Sequence, residues 1–96
     1  DITLPVGVIR IRRKGSDGGQ RGMRSIITLS GSEQFPRIKI GVGQKPRPDY
    51  DLAAWVLSRF TSEETEKIAA AADNAAEAAF RIVEGDLDGA MNTYSR

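Results

Sequence analysis

The sequence predicts an α/β fold built on an incomplete sheet, and three observations carry that reading. Val8 to Arg12 reads VIRIR, an apolar–basic alternation with the period of two expected of a strand buried on one face. Ile38 to Val42, IKIGV, repeats the pattern between Pro36 and the turn-rich QKPRPD. Between and after these stretches, apolar residues recur at helical spacing. A sheet of two strands is marginal alone, since three or more are usually needed to cover a core. The chain, residues 1–96, therefore reads as a single incomplete domain, a piece of a larger α/β unit or a subunit that borrows strands by association.

Each element has its local reason. After the first strand, Gly15 to Gly19 breaks the alternation. Met23, Ile26, Ile27 and Ser30 then follow a helical period, and Gly31 is the natural stop. Strand, helix and strand within about 35 residues predict a βαβ unit, whose crossover is normally right-handed with parallel strands. In DYDLAAWVLSRF, Leu52, Trp55, Val56 and Phe60 share a stripe, with Asp49 or Asp51 available as N-cap. Thr61 and Glu64 form the T-x-x-E pattern of a capping box. The alanine-rich helix that follows is expected to pack Ile68, Ala72, Ala76, Ala79, Phe80 and Val83 and to end near Gly85. Asp86 can cap a last short helix bearing Leu87, Ala90 and Met91.

Composition removes several functions. No cysteine means neither disulfides nor thiolate chemistry, and no histidine removes the commonest acid–base group and metal ligand near neutral pH. No cofactor or metal is implied. No apolar run reaches the roughly 18 residues of a membrane span, and DITLPVG has no signal-peptide pattern, so the cytoplasm is the expected compartment. The net charge of +1 conceals an asymmetry. Residues 1–48 hold ten Lys/Arg against three Asp/Glu, a net +7, while residues 49–96 hold four against ten, a net −6. A basic strand–loop–helix–strand half attracts polyanions and an acidic helical half repels them.

KGSDGGQRGMRSII, Lys14 to Ile27, places four glycines, an Asp and two arginines on the approach to a helix. A loop entering a helix N-terminus offers unpaired N–H groups and the positive end of the helix dipole to an anion. The spacing fits neither a Walker A loop nor a dinucleotide fingerprint. A tight structural turn and a ligand-contacting loop both remain open on these residues.

Five collinear blocks resemble the bacterial-type peptidyl-tRNA hydrolases. LPVG at Leu4 to Gly7 resembles that family's Leu-Pro-x-Gly. KGSDGGQRGMRSII resembles Lys-Gly-Ser-x-Gly-Gly-His-Asn-Gly-Leu-Lys-Ser-Ile, and FPRIKIGVG resembles Phe-x-Arg-Leu-Arg-Ile-Gly-Ile-Gly. YDLAAWVLSRF resembles the family's lid segment, and DGAMNTY resembles its tail. The resemblance implies a partial three-layer α/β sandwich of the phosphorylase/hydrolase type: the carboxy-terminal strands, lid helix and long final helices. It also implies that the catalytic His, the Asn residues beside it and the orienting Asp lie upstream of Asp1. Asp1 itself matches the second acidic position of Asp-(Asp/Glu)-Leu-Asp-Leu-Pro, which is not the catalytic one. No catalytic residue is therefore expected in this chain, and by itself it is expected to be inactive.

The reaction the resemblance implies is hydrolysis of the ester between a peptide and the 3′-terminal ribose of tRNA. A His base activates water, and amide groups stabilise the developing oxyanion. Gly18, Gly19 and Arg21 match substrate-contacting positions, and Ile2, Met23 and Val56 match positions lining the peptide groove; for Ile2 and Val56 the residues themselves favour plain core. Arg10, Arg12, Lys39, Lys45 and Arg47 match a tRNA-binding track, and the alternation puts Arg10, Arg12 and Lys39 on polar strand faces. Such contacts position a nucleic acid without reading its sequence. Trp55 reads as a lid or core residue rather than a base-stacking one.

One departure stands out. Gln20-Arg21 replaces the family's His-Asn, and Arg21 cannot accept a hydrogen bond, so it cannot orient a water as a carbonyl oxygen does. It retains a guanidinium fork suited to phosphate. Two alternatives remain open: a non-catalytic RNA-binding relative on the same fold, or a small interaction module with a merely solvated basic half. The expected partners are tRNA and the missing part of the domain, or a second copy joined at an exposed sheet edge; no membrane is expected.

Overall fold

The computed structural model describes residues 1–56 and 58–96; Leu57 and the side chain of Val56 lie outside it. The elements run β1 (Ile9–Arg12), α1 (Arg21–Ser30), β2 (Arg37–Ile40), α2 (Leu52–Val56), α3 (Ser62–Val83) and α4 (Leu87–Tyr94). The helix signals behave as read. Thr61 Oγ1 accepts from the Glu64 N–H at 3.1 Å while Glu64 Oε1 accepts from the Thr61 N–H at 2.9 Å, completing the capping box. Asp86 accepts from the Gly89 N–H at the start of α4, and α1 stops at Gly31, whose N–H returns to the Ile27 carbonyl.

The strands are antiparallel, not parallel. Ile9 faces Ile40, Arg10 faces Lys39, Ile11 faces Ile38 and Arg12 faces Arg37. The right-handed crossover rule presumes a helix that packs back onto the sheet. Here α1 has no buried residue, and Leu29 is 88% exposed, so the connection is an excursion that lets the second strand return beside the first. The sheet is covered instead by α4 over β1 and α3 over β2. Ile9 and Ile11 are buried beneath these helices with Ala71, Ala78 and Ala90, and Ile38 and Ile40 pack against that core.

α3 buries a different stripe from the one expected. Ala71 and Ala78 are its buried residues, with Ala75 and Ile82 packed beside them, whereas Phe80 is 72% and Val83 85% exposed. Alanine is apolar wherever it falls, so the helix is apolar over an arc wider than one neighbour covers. Only tertiary contacts select the side that is used.

The two sheet edges differ. Along β1, the Ile11 N–H donates to Ser95 Oγ at 2.9 Å and the Ile9 carbonyl accepts from the Arg96 N–H at 2.8 Å, so the carboxy-terminal tail covers that edge. On the outer side of β2 the Ile40 carbonyl accepts from the Asp1 amino group at 2.7 Å, and no other backbone partner lies along it among the described residues. At the other end of the sheet, the amino-terminal segment lies across residues 41–43. The Val42 N–H donates to the Asp1 carbonyl and the Gly43 N–H to that of Leu4, both at 2.9 Å. Gly41 permits this close approach. A Cβ there would overlap the Pro5 carbonyl oxygen and stand 2.7 Å from Leu4 Cβ, and backbone cannot yield as a side chain can. Gly41→Ala is therefore expected to destabilise the chain by about 1–3 kcal/mol, the usual range for overpacking. A thermal melt followed by circular dichroism checks this, and an unchanged midpoint would mean that the amino-terminal segment does not lie on Gly41.

Candidate functional site

The register assembles the basic residues. With Ile9, Ile11, Ile38 and Ile40 committed to the core face, Arg10, Arg12, Lys39 and Arg37 share the opposite one. Cations directly across an antiparallel pair repel. No described carboxylate forms an ion pair with any of the four; the pairs present are Arg13–Asp88, Arg24–Asp17, Arg47–Asp49 and Lys67–Glu63. The four are not equivalent, however. Arg37 is 6% exposed and spends its guanidinium on the carbonyls of Ser16 (2.9 Å), Glu33 (3.0 Å) and Phe35, with its Cζ 4.4 Å from the Phe35 ring centre. Arg10 donates to the Arg96 carbonyl at 3.1 Å, and Lys39 makes no side-chain hydrogen bond among the described residues. Arg12 is exposed, with only a long contact to its neighbour's carbonyl. Three cations thus face solvent and one is a strut.

That strut joins the sheet to the glycine loop. Through Ser16 and Glu33, Arg37 fixes both ends of the segment that leaves β1 and returns to β2, and the Gly15 N–H reaches the same Glu33 carbonyl at 3.4 Å. Beyond it, Gly18 and Gly19 adopt φ values of 60° and 82°, a region that side chains other than glycine rarely occupy. A Cβ at either would meet nothing within 4 Å, so these glycines answer to the backbone path and leave the space above them open. Asp17 organises the turn. Its carboxylate accepts from the Gly19 N–H at 2.7 Å and pairs with Arg24 at 3.1 Å.

Gln20 begins α1 by accepting the Met23 N–H on Oε1 at 2.7 Å. Arg21 follows on the first turn, exposed and without a hydrogen bond or ion pair among the described residues. Met23 is half-buried; the side chain of Val56 lies outside the described residues. Lys45 and Arg47 stand apart from the sheet on the 44–48 loop. There they line an open groove with Ile2 and Thr3. Lys45 reaches the Pro48 carbonyl, and Arg47 pairs with Asp49 and lies 5.5 Å from the Tyr50 ring centre. Trp55 meets Tyr50 edge to face and donates its indole N–H to the Gly43 carbonyl at 3.1 Å, which fixes it as an anchor of α2.

Sequence reasoning missed Arg37 and Asp17. Arg37 shares the parity of Lys39, and an Asp immediately before two glycines is an Asx-turn signal. Nothing local marks Arg37 as the buried one. The Asp17 carboxyl is held below its ordinary range, first by the Gly19 N–H and then by Arg24. Because its folded-state pKa is depressed, the stabilisation it gives is present above the pKa of the unfolded carboxyl and lost as pH falls through the lower folded value. The Gly19 amide resonance is therefore expected to hold its position from pH 7 to about 4, the ordinary carboxyl range, and to move only below it. Movement centred above pH 5 would contradict the Asp17–Gly19 bond.

Comparison with known proteins gives this geometry its context. The family model described as peptidyl-tRNA hydrolase matches residues 1–96. The peptidyl-tRNA hydrolase of Agathobacter rectalis is 50% identical over 95 residues, which are 99% of this chain and 50% of the relative. That of Caldanaerobacter subterraneus is 52% identical over 95 residues, with the same coverage. The crystal structure of peptidyl-tRNA hydrolase from Acinetobacter baumannii superposes with a TM-score of 0.83 at 28% identity, over 99% of this chain and 49% of that one. This chain spans about half the length of the curated relatives it matches. With its whole length matched by the family model and half its residues shared with such relatives, the chain belongs to the peptidyl-tRNA hydrolase family.

Proposed function

We propose that the chain is the carboxy-terminal part of an enzyme that hydrolyses the ester between peptide and tRNA. In this reading it supplies the tRNA-binding surface and part of the substrate cleft, while the proton-transfer groups come from the remainder of the domain. The observation that carries the proposal is the solvent-facing set Arg10, Arg12 and Lys39, with Arg10 directly across from Lys39 and no Asp or Glu paired with any of the three among the described residues. A phosphate backbone relieves the repulsion between facing cations, and its contacts require no sequence readout. Lys45 and Arg47 extend the surface along the neighbouring groove. The loop adds Gly18 and Gly19, whose open surroundings admit a substrate to the backbone, and Arg21 and Met23 at the helix entrance.

Chemically, these residues bind and orient. With no His and no Cys, the chain has neither the usual base nor a thiol nucleophile. By itself it is expected to bind tRNA without hydrolysing peptidyl-tRNA. The cytoplasm, where tRNA resides, is the compartment this reading requires; no helix among the described residues is long and apolar enough to cross a membrane.

A second reading, a non-catalytic RNA-binding relative, is favoured by Gln20 and Arg21. Gln20 commits its side-chain oxygen to the Met23 N–H, and Arg21 has no acceptor to offer a water. The two readings part in a peptidyl-tRNA hydrolysis assay on the complete domain and its Gln20→His/Arg21→Asn variant. The enzyme reading expects turnover in both, altered in rate. Turnover appearing only in the variant would establish the binding-only reading. For the cationic face, Arg12→Ala is expected to weaken tRNA binding and to lower the slope of log affinity against log salt by about 1. An unchanged slope would remove Arg12 from the surface.

A further inference from the structure

Residues 14–34 leave the sheet as a separate excursion. α1 has no buried residue, so apolar packing holds it only weakly. Within the excursion the Gly15 N–H meets the Glu33 carbonyl at 3.4 Å, Asp17 holds Gly19 and Arg24, and Gly31 returns to Ile27. Toward the rest of the chain, every hydrogen bond among the described residues is made by one side chain, that of Arg37.

Arg37 makes them from inside the neck of the excursion. Nη1 donates to the Ser16 carbonyl at 2.9 Å on the outgoing limb, and Nη2 to the Glu33 carbonyl at 3.0 Å on the returning one. Nε and Nη2 also reach the Phe35 carbonyl, at 3.4 and 3.3 Å, so all three guanidinium nitrogens are engaged. Gly15 closes one side, where a Cβ would stand 3.4 Å from Nη1. Burying this charge is costly. No described carboxylate pairs with it, and the residue across the strands is another cation, Arg12. An apolar side chain could fill the space without that cost, but it could not bond two limbs far apart in sequence at fixed angles to the sheet.

We infer that Arg37 is a positioning residue: it sets the glycine loop and the α1 entrance against the cationic strand face. A substrate gripped along its phosphate backbone then presents its ester end to Gly18, Gly19 and Arg21. The consequence for turnover rests on the enzymatic reading proposed above, whereas the placement of the loop rests on this chain's own hydrogen bonds. Arg10, Arg12 and Lys39 lie on the sheet side of the neck, so they hold tRNA wherever the loop sits. Alignment of the reacting end depends on the loop, and a misplacement of about 1 Å costs a reaction about a hundredfold. Loss of Arg37 therefore separates binding from turnover.

Arg37→Lys tests this, because it keeps the charge but replaces the planar fork with a point charge. In this chain the amide resonances of Ile9, Arg10 and Ile40 are expected to stay in place while those of Gly18, Gly19 and Arg21 move or broaden. In the complete domain, tRNA affinity and its salt slope are expected to hold. The kcat for peptidyl-tRNA is expected to fall by about tenfold or more, with KM changed by less than about threefold. Arg37→Met, which offers no donor, is expected to leave the same sheet resonances in place and to lower kcat further. Unmoved loop resonances or unchanged turnover would overturn the inference. A loss of tRNA affinity in step with kcat/KM would do so too, by making Arg37 a phosphate contact. Loss of the sheet resonances in both variants would reduce it to a residue of folding. If the unaltered domain hydrolyses nothing, the enzymatic reading fails, and the loop and sheet resonances of this chain decide the positioning role by themselves.

Discussion

The antiparallel register of β1 and β2 is the constraint on which the rest depends. Side chains alternate along a strand, so pairing Ile9 with Ile40 and Ile11 with Ile38 fixes two surfaces at once. One face lies under α3 and α4 with the apolar core. The other receives every second residue, and in this sequence those residues are Arg10, Arg12, Arg37 and Lys39. A slip of one residue would bury cations and expose isoleucines. The core therefore enforces a cationic face that electrostatics by itself would disperse.

Arg37 shows how the molecule uses that arrangement. Burying a guanidinium is costly unless its donors are satisfied. Here the Ser16, Glu33 and Phe35 carbonyls and the Phe35 ring supply the partners. The outcome is mechanical: the glycine loop is tied to the sheet, and the entrance of α1 takes a fixed position relative to the cations. Asp17 performs the finer adjustment by holding the Gly19 N–H and Arg24. The loop is thus organised by its own carboxylate, and Arg21 at the helix entrance bonds no other side chain among the described residues.

What could be read in the sequence was whatever local chemistry decides. The strand alternation, the capping box at Thr61 and Glu64, the Asp86 cap and the stop at Gly31 each involve residues within a few positions of one another. The candidate cations were legible for the same reason, since parity along a strand is local. Strand direction was not, because it depends on whether α1 packs against the sheet, and α1 does not. Nor was the buried stripe of α3. Ala71, Ala75 and Ala78 differ from Ala72, Ala76 and Ala79 only in what lies opposite them, and the apolar stripe that looked most like core is the one left open. Trp55, read as a lid or core residue, is half-buried and donates its indole N–H to the Gly43 carbonyl, a partner outside its own stripe.

In the proposed function the cations meet a polyanion, and their repulsion across the strands burdens the sheet that carries them. Lys39 offers the cleanest probe, because it faces Arg10 and its side chain bonds no described residue. Reversing its charge with Lys39→Glu converts a repulsive cross-strand pair into an attractive one. Paired measurement of the unfolding midpoint and of tRNA affinity for this variant should show the midpoint rising while affinity falls by tenfold or more. A raised midpoint with unaltered tRNA affinity would contradict the account, reducing the basic face to a solvated surface.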